Sequence, residues 1–443
     1  MNRHSRRSPR HDPYAAFRIP AYRRLIAGAL LVSTMTAAQG LAIGWEMYQR
    51  TDEPLALGLV GLVQAIPMLL FTLPAGYLAD VFDRRWLIVL SLLGATLTSV
   101  ALAGLSYWQG PTWLMYALLF ADATALRMGG PARSALMPLI VPSEVFENAV
   151  KWRTSLSQIS AMVGPAVGGF VLAWWLPGAY LFSALGSTLF VLLMLTIRLP
   201  QAARTARGNM LPQVGEGLRF VWRQKLLLGT TSLDLFAVLL GGAVYLLPVY
   251  VQDIIDVTAV GLTPEQALGW LRAAPAAGAM VMALLLAHRP PIRRAGRSML
   301  LAVAGFGAVT IVFGLSRNFW LSLAMLFLTG VFDNVSVVVR HTLVMLVTPN
   351  AMRGRVSAVN SVFIGSSNEL GGFESGLVAQ WFGPVASVVS GGIGTILVVA
   401  TWAKLFPRLR RFGSLADAEP GKLAPTPAAE AETIQTHGAR ETT

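Results

Sequence analysis

LALGLVGLVQAIPMLLFTLPAGYLADVFDRR, residues 55–85, carries no charge from Leu55 to Leu78 and then sets two acids and two arginines between Asp80 and Arg85. The apolar part, Leu55–Leu73, ends in Pro74 and Gly76, and the chain turns apolar again at Trp86. Coiled as a helix at ~1.5 Å per residue, such a run spans about 30 Å, the thickness of a bilayer's hydrocarbon core. A charged cluster that abrupt marks where the chain leaves lipid for water.

The rest of the sequence repeats the pattern. Of 443 residues 54% are apolar and 13% charged, against about 25% charged in a soluble domain. The apolar residues come in runs of about 20 rather than in amphipathic stripes. Twelve runs are expected to span: 25–45, 56–76, 87–107, 113–135, 155–175, 179–197, 227–250, 267–287, 299–315, 319–340, 356–378 and 384–405. Short polar turns between long runs exclude a β-barrel, whose strands are shorter and alternate. The first run lacks a small-residue cleavage site and reads as a retained helix. The expectation is an all-α polytopic membrane protein.

Basic residues set its orientation. Arg3, Arg6, Arg7, Arg10, Arg18, Arg23 and Arg24 precede the first span. Alternate loops then carry Arg84/Arg85, Lys151/Arg153, the 198–225 segment, Arg289–Arg297, Arg353/Arg355 and the tail from Lys404. The intervening loops hold only Arg50 and Arg317, with Arg272 at a helix margin. This positive-inside asymmetry places both termini in the cytoplasm. The formal charge of +13 is therefore an orientation signal; a nucleic-acid-binding face would not be divided among seven membrane-bounded segments, and no nucleic-acid partner is expected.

The absence of cysteine excludes disulfides, zinc–thiolate sites and thiol catalysis. GxSxG, HExxH and GxxxxGK[ST] do not occur, and His4, His11, His288, His341 and His437 do not cluster at ligand spacing. No catalytic constellation, cofactor or metal is expected, so the chain reads as neither an enzyme nor an ATP-driven pump.

The expected organisation is a cytoplasmic N-terminal segment 1–24, a six-helix bundle 25–197, a linker 198–226, a second six-helix bundle 227–405 and a disordered cytoplasmic tail 406–443. In the linker, Leu211, Val214, Leu218, Val221 and Trp222 recur at helical spacing among Arg219, Arg223 and Lys225. A helix on the lipid surface and a helix packed beneath the bundle both fit. RSALMPLIVP (133–142) aligns with RHTLVMLVTP (340–349), and the same offset puts GPAVGG (164–169) on GGFESG (371–376). The offset corresponds to six spans, so the halves share orientation, as parallel repeats do about an axis normal to the membrane.

On these residues the chain resembles the major facilitator superfamily. GYLADVFDRR (76–85) is similar to the family's loop signature. There Gly76 would let helix backbones approach, Asp80 would accept hydrogen bonds at a neighbouring helix N-terminus, and Arg84 and Arg85 would hold the turn at the anionic leaflet. The resemblance implies a latch between the halves in the outward-facing state, with Arg133 near enough to pair with Asp80. LLLAHRPPIRRAGR (284–297), the matching loop of the second half, keeps the bases without an acid. Gly164, Pro165, Gly168 and Gly169 match the core of a Gly-Pro-x-x-Gly-Gly motif of proton-coupled exporters; Ser160 and Lys151 stand where the fuller motif has glycines. Plain helix packing would use the same residues. WEMYQRT (45–51), Gln64-x-x-Pro67 and RGRVSAVNSVFIGSSNELGGFESG (353–376) resemble the enterobactin-exporter-like branch, which also holds macrolide and multidrug exporters; the likeness covers about residues 15–412.

What the resemblance implies is proton-driven efflux of a small molecule, a siderophore or drug-like compound, by a monomer in a bacterial inner membrane. A lysophospholipid flippase of the same fold and a non-transporting sensor or scaffold are the other classes. Ionisable groups inside spans are costly and usually partnered or functional. Glu369 and Glu374 in the eleventh span are the leading proton-coupling candidates, with Asp122, Asp333 and Asp234 beside them. For Glu369 a structural pair with an arginine such as Arg127 is equally open. Glu46 sits where it could reach headgroups. Trp45, Tyr48, Phe71, Trp174, Phe236, Tyr245 and Phe363 are aromatics that could line a cavity or pack elsewhere.

Overall fold

The computed structural model describes residues 12–197, 210–290, 292–349 and 352–413, without the side chains of residue 73 and of 210–214. The expectations for 1–11, 198–209 and 414–443 lie outside the described residues. In chain order the helices are α1 (Pro20–Thr51), α2 (Pro54–Val81), α3 (Arg84–Tyr107), α4 (Thr112–Ile140), α5 (Ser143–Trp174), α6 (Leu176–Thr196), α7 (Met210–Arg223) and α8 (Lys225–Leu240). After the one-turn α9 (Leu247–Val249) come α10 (Pro264–Ala287), α11 (Ala295–Leu315), α12 (Phe319–Val347), α13 (Arg353–Phe382), α14 (Pro384–Leu405) and the short α15 (Pro407–Arg410).

Local sequence sets the helix ends. Pro20, Pro54, Pro264 and Pro384 open their helices, where the missing N–H costs nothing. Asp83 accepts from the Arg85 amide at 2.8 Å to cap α3, and Asn318 accepts from the Leu321 amide at 3.0 Å to cap α12. Gly383 turns the chain between α13 and α14 at φ +87, a left-handed conformation that glycine adopts without strain.

Ten of the described helical segments are long and apolar enough to cross a membrane. α4 and α13 have the length but hold Asp122, Arg127 and Arg133, and Arg353, Arg355, Glu369 and Glu374. α5 begins at Ser143 rather than at the expected 155. Hydropathy marks only where lipid begins, whereas tertiary contacts support the polar turns: Asn148 Nδ2 and Trp152 Nε1 both donate to the Pro13 carbonyl at 2.8 Å.

The expected seventh span, 227–250, lies within one candidate crossing segment, Lys225–Ile254, but is not one regular helix. α8 stops at Leu240, a 3-10 stretch covers Gly242–Leu246, and after α9 a π turn covers Tyr250–Ile254. The Gly241–Gly242 pair weakens the helix, and Pro248 has no N–H for the Val244 carbonyl. Arg272 Nη1 donates to that carbonyl instead, at 3.0 Å.

α1–α6 pack among themselves, as do α8 and α10–α14; the two halves meet mainly where α2 lies on α13 and α5 on α10. Both crossings are glycine-to-glycine. A Cβ at Gly376 would lie 2.6 Å from the Gly58 Cα, and one at Gly169 would lie 2.9 Å from the Gly269 Cα. Gly169 and Gly376 are the last residues of the two segments aligned in the repeat, so the two crossings are counterparts.

The apolar clusters divide by end. At the end bearing the α1–α2 turn, one cluster joins both halves, running from Leu41–Tyr48 and Ala56–Val60 through Leu246–Val251 and Leu268 to Val388. At the opposite end, which bears the chain termini, two clusters lie within residues 16–197 and two within 221–409. The first end is closed and the terminal end is parted. α7 packs beneath the second half: Val221 is buried with Val356 and Val359, and a Cβ at Gly217 would meet the Arg355 carbonyl at 3.0 Å. Leu218 and Trp222 stay exposed.

Candidate functional site: a polar cavity between the halves

Parting the terminal end leaves four adjoining cavities. The deepest, about 150 Å³, lies between the halves and is lined by Gly40, Gln64, Tyr245, Arg272 and Glu369. Through Gly40 and Gln64 it meets one of about 420 Å³ that holds Asp122, Arg127 and Arg133. Arg133, Thr36 and Leu126 are shared with a third, of about 600 Å³, along α1, α4 and α5. Arg153 and Ser157 lead from this into the last, about 450 Å³ near Phe146.

Asp122 is buried in a network drawn from three helices. Gln39 Nε2 donates to its Oδ2 at 3.1 Å, and Thr98 Oγ1 donates to its Oδ1 at 2.7 Å. Ser99 Oγ donates to Gln39 Oε1 at 2.6 Å, which fixes the amide's orientation. Hydrogen bonds of this kind let a carboxylate stay inside a bundle. No sequence motif marks the network; an amide at Gln39 within an apolar span was its signal.

Glu369 receives the Tyr245 hydroxyl on Oε2 at 3.1 Å. The Arg272 guanidinium sits 5.6 Å from the Tyr245 ring centroid, within cation–π range. Arg127 and Arg272 are in electrostatic reach of Glu369, but among the described residues neither forms an ion pair with it. Glu374, a turn further on, accepts from Ser375 Oγ at 3.4 Å. Asp234 is paired with Arg340, both buried, inside the second half. Asp333 lines a small void of about 20 Å³ with Asp234 and Ser336. The structure thus brings Asp122 and Glu369 to one cavity system and places Asp234 and Asp333 elsewhere.

Glu46 is not at the headgroups. It is 1% exposed, accepts from the Tyr180 hydroxyl at 2.6 Å and pairs with Arg50, whose Nη1 also donates to the Gly110 carbonyl at 2.6 Å. Burial without partners would be costly, and this carboxylate has them.

In the 76–85 turn, Gly76 is buried and Asp80 pairs with Arg84 at 3.8 Å. Arg84 Nε donates to the Ala79 carbonyl at 3.2 Å, and Arg85 donates to the Leu195 carbonyl. Arg133 donates to the Leu126 carbonyl at 2.8 Å rather than to Asp80. In α5 the small residues serve close packing: a Cβ at Gly164 would lie 2.9 Å from the Thr34 carbonyl, and one at Gly168 would lie 2.7 Å from the Ala38 Cα. Pro165 is buried in the same helix.

Of the seven aromatics singled out, Tyr245 lines the cavity system. Trp45 and Tyr48 are buried in the cluster that joins the halves, Phe363 packs in a second-half cluster, Phe236 packs on Trp402, and Trp174 is 86% exposed. Tyr22 and Phe190 do line it; Tyr22 stands directly before Arg23 and Arg24 and Phe190 within an apolar run, and neither setting points to a cavity.

Among the described residues, the helix groups α1–α6 and α8 with α10–α14, which cross at α2–α13 and α5–α10 beside a polar cavity, form a transporter fold of the major facilitator type. Its sequence matches the family model described as transmembrane secretion effector over residues 11–439, and the chain belongs to that family. Enterobactin exporter EntS of Shigella boydii serotype 18 is 24% identical over 395 residues, 89% of this chain and 93% of that protein. Macrolide efflux protein A of Streptococcus pyogenes is 25% identical over 229 residues, 50% of this chain, which spans about half, 54%, of that relative's length. Among solved structures, a bacterial homologue of the lysosomal transporter Spinster, in an inward-facing and unoccupied conformation, superposes at TM-score 0.69 with 15% identity, covering 89% of this chain and 99% of that one. Nucleoside transporter NupG superposes at 0.71 with 12% identity, covering 87% and 100%; both likenesses are of fold.

Proposed function

We propose that the protein exports a small molecule from the cytoplasm across a bacterial inner membrane by proton antiport, its halves rocking about the shared cavity. One observation carries this reading: a single apolar cluster joins the halves at one end, while the clusters at the other end each stay within one half. Placement of arginine and lysine makes the parted end cytoplasmic, so substrate enters from the cell interior. Asp80, whose ion pair among the described residues is with Arg84 of its own turn, fits a latch that closes in the opposite state. Kinship with an enterobactin exporter and a macrolide efflux protein supports the outward direction.

Glu369 is the proposed proton carrier. It sits at the apex of the cavity, where both halves contribute walls, so rocking exposes it alternately to the two sides. In its neutral form it can be carried through the closed state without a buried charge. Asp122 is the rival, already satisfied by two hydrogen bonds. Exchanging Glu369→Gln should abolish substrate-driven proton movement in vesicles while substrate binding persists; unaltered coupling would remove Glu369 from the role. Screening drugs and siderophores for export that collapses with a protonophore tests the exporter reading itself.

A further inference from the structure

The cavity walls are unevenly charged. Arg127, Arg133, Arg153 and Arg272 line them, and among the described residues the acids on the same walls are Asp122 and Glu369. Neither acid forms an ion pair with any of the four arginines among the described residues. Asp122 is held by Gln39 and Thr98, and Glu369 by Tyr245. Among the described residues the hydrogen bonds of Arg133 and Arg272 go to the carbonyls of Leu126 and Val244.

The largest of these four cavities, about 600 Å³, has no acid among the described residues that line it. Its two charges are Arg133 and Arg153, set against an apolar wall that includes Leu25, Ile26, Leu30 and Phe190. Arg133 lies in electrostatic reach of both Arg127 and Arg153, and among the described residues neither Arg133 nor Arg153 forms an ion pair with a carboxylate. Guanidinium groups in a partly dehydrated wall gain most from a carboxylate, sulfonate or phenolate, which accepts their planar donors. A volume near 600 Å³ suits a drug-sized molecule.

We infer that this wall is the binding site for an amphipathic organic anion, with its apolar body on α1 and α6 and its charge on Arg133 and Arg153. The assignment rests on the exporter reading for its direction of transport but not for its charge preference. A cation of equal size would meet the two like charges of Arg133 and Arg153 and no carboxylate on this wall, so this wall selects against it.

Fluorescein, a dianion at about pH 8, and rhodamine 6G, a cation, share one xanthene body and isolate the effect of charge. Binding of each to the purified full chain in uncharged detergent micelles is read by fluorescence anisotropy. Fluorescein should bind at least about fivefold tighter, the scale of one partly exposed charge contact, and should weaken with added salt. Arg153→Gln should lose about that factor and Arg153→Lys should keep it. Because Arg153 is exposed, both variants should fold; Arg133→Gln, with its melting temperature checked, is the second probe. Rhodamine 6G binding as tightly, fluorescein binding indifferent to Arg153→Gln, or neither dye binding would each overturn the assignment. Proteoliposomes under a pH gradient separate the two readings: fluorescein that binds but is never moved leaves the charge assignment standing and removes the exporter, whereas gradient-driven movement of rhodamine 6G does the reverse.

Discussion

The Tyr48 hydroxyl donates to the Asp253 carboxylate across 205 positions of sequence, tying α1 of the first half to the π turn of the second. Tyr48 is 4% exposed, whereas Asp253 is exposed, so the bond closes the rim of the joined end. A hydrogen bond to a charged group contributes about 1 kcal/mol when half in water. Tyr48→Phe should therefore raise the population open at that end by about fivefold. Spin labels on α1 and on the 250–254 turn, with distances measured by pulsed electron resonance, check this; an unchanged distribution would show that the bond is incidental.

Gly58 and Gly376 leave no room for a side chain where α2 crosses α13. A Cβ on residue 376 would also lie 2.9 Å from the Pro54 carbonyl, and backbone cannot step aside as a flexible side chain can. Overpacking of this kind costs about 1–3 kcal/mol. It falls only on the state in which the two helices touch. Gly376→Val should hold the joined end open, making a cysteine placed at Gln380, which accepts from the Leu55 amide at 3.3 Å, label at least about fivefold faster. The chain has no cysteine of its own, so the reporter is unambiguous, and equal labelling would refute the role of the crossing.

Pro248 and Arg272 act through one carbonyl. The proline leaves the Val244 oxygen without its helical donor, and Arg272 supplies one. Arg272→Ala should cost about 1–3 kcal/mol of unfolding free energy, the penalty of an unsatisfied buried acceptor. In a Pro248→Ala background the restored amide should reduce that loss. Chemical denaturation of the four-member cycle measures the coupling, and strict additivity would contradict the account.

Asp234 and Arg340 form a buried pair, with side-chain exposures of 6% and 3%. Asp234→Asn would strand a guanidinium in the second half and should destabilise by about 3–5 kcal/mol. Removing both charges, as Asp234→Leu with Arg340→Met, should recover much of the loss. Thermal unfolding in detergent distinguishes this from a coupling role, which would leave stability intact and alter proton movement.

Much of the architecture is written in one dimension. Segments such as 55–73 are apolar along their whole length, and ten candidate spans among the described residues follow from such runs, whereas α4 and α13 carry charges within their length. The errors have local causes. α5 starts at Ser143 because a helix continues through polar residues when Pro13 is bound by Asn148 and Trp152. α8 breaks at Gly241 because two glycines and Pro248 outweigh an apolar composition that reads as one span. For Glu46 the headgroups were one open destination in the sequence, because neither Tyr180 nor the Arg50 geometry is visible along the chain. Within the site, Glu369 stood out as an acid in an apolar context, but nothing near it announced Tyr245, 124 positions away.

Sequence alone determined that this chain is a multi-pass membrane protein, because hydrophobic length is a property of consecutive residues. Tertiary structure alone decided which end is closed, which acids reach the cavity and which are locked in pairs. Those outcomes depend on side chains from different helices arriving within hydrogen-bonding distance, as Gln39, Thr98 and Asp122 do, and such meetings are set by packing rather than by any spacing along the chain.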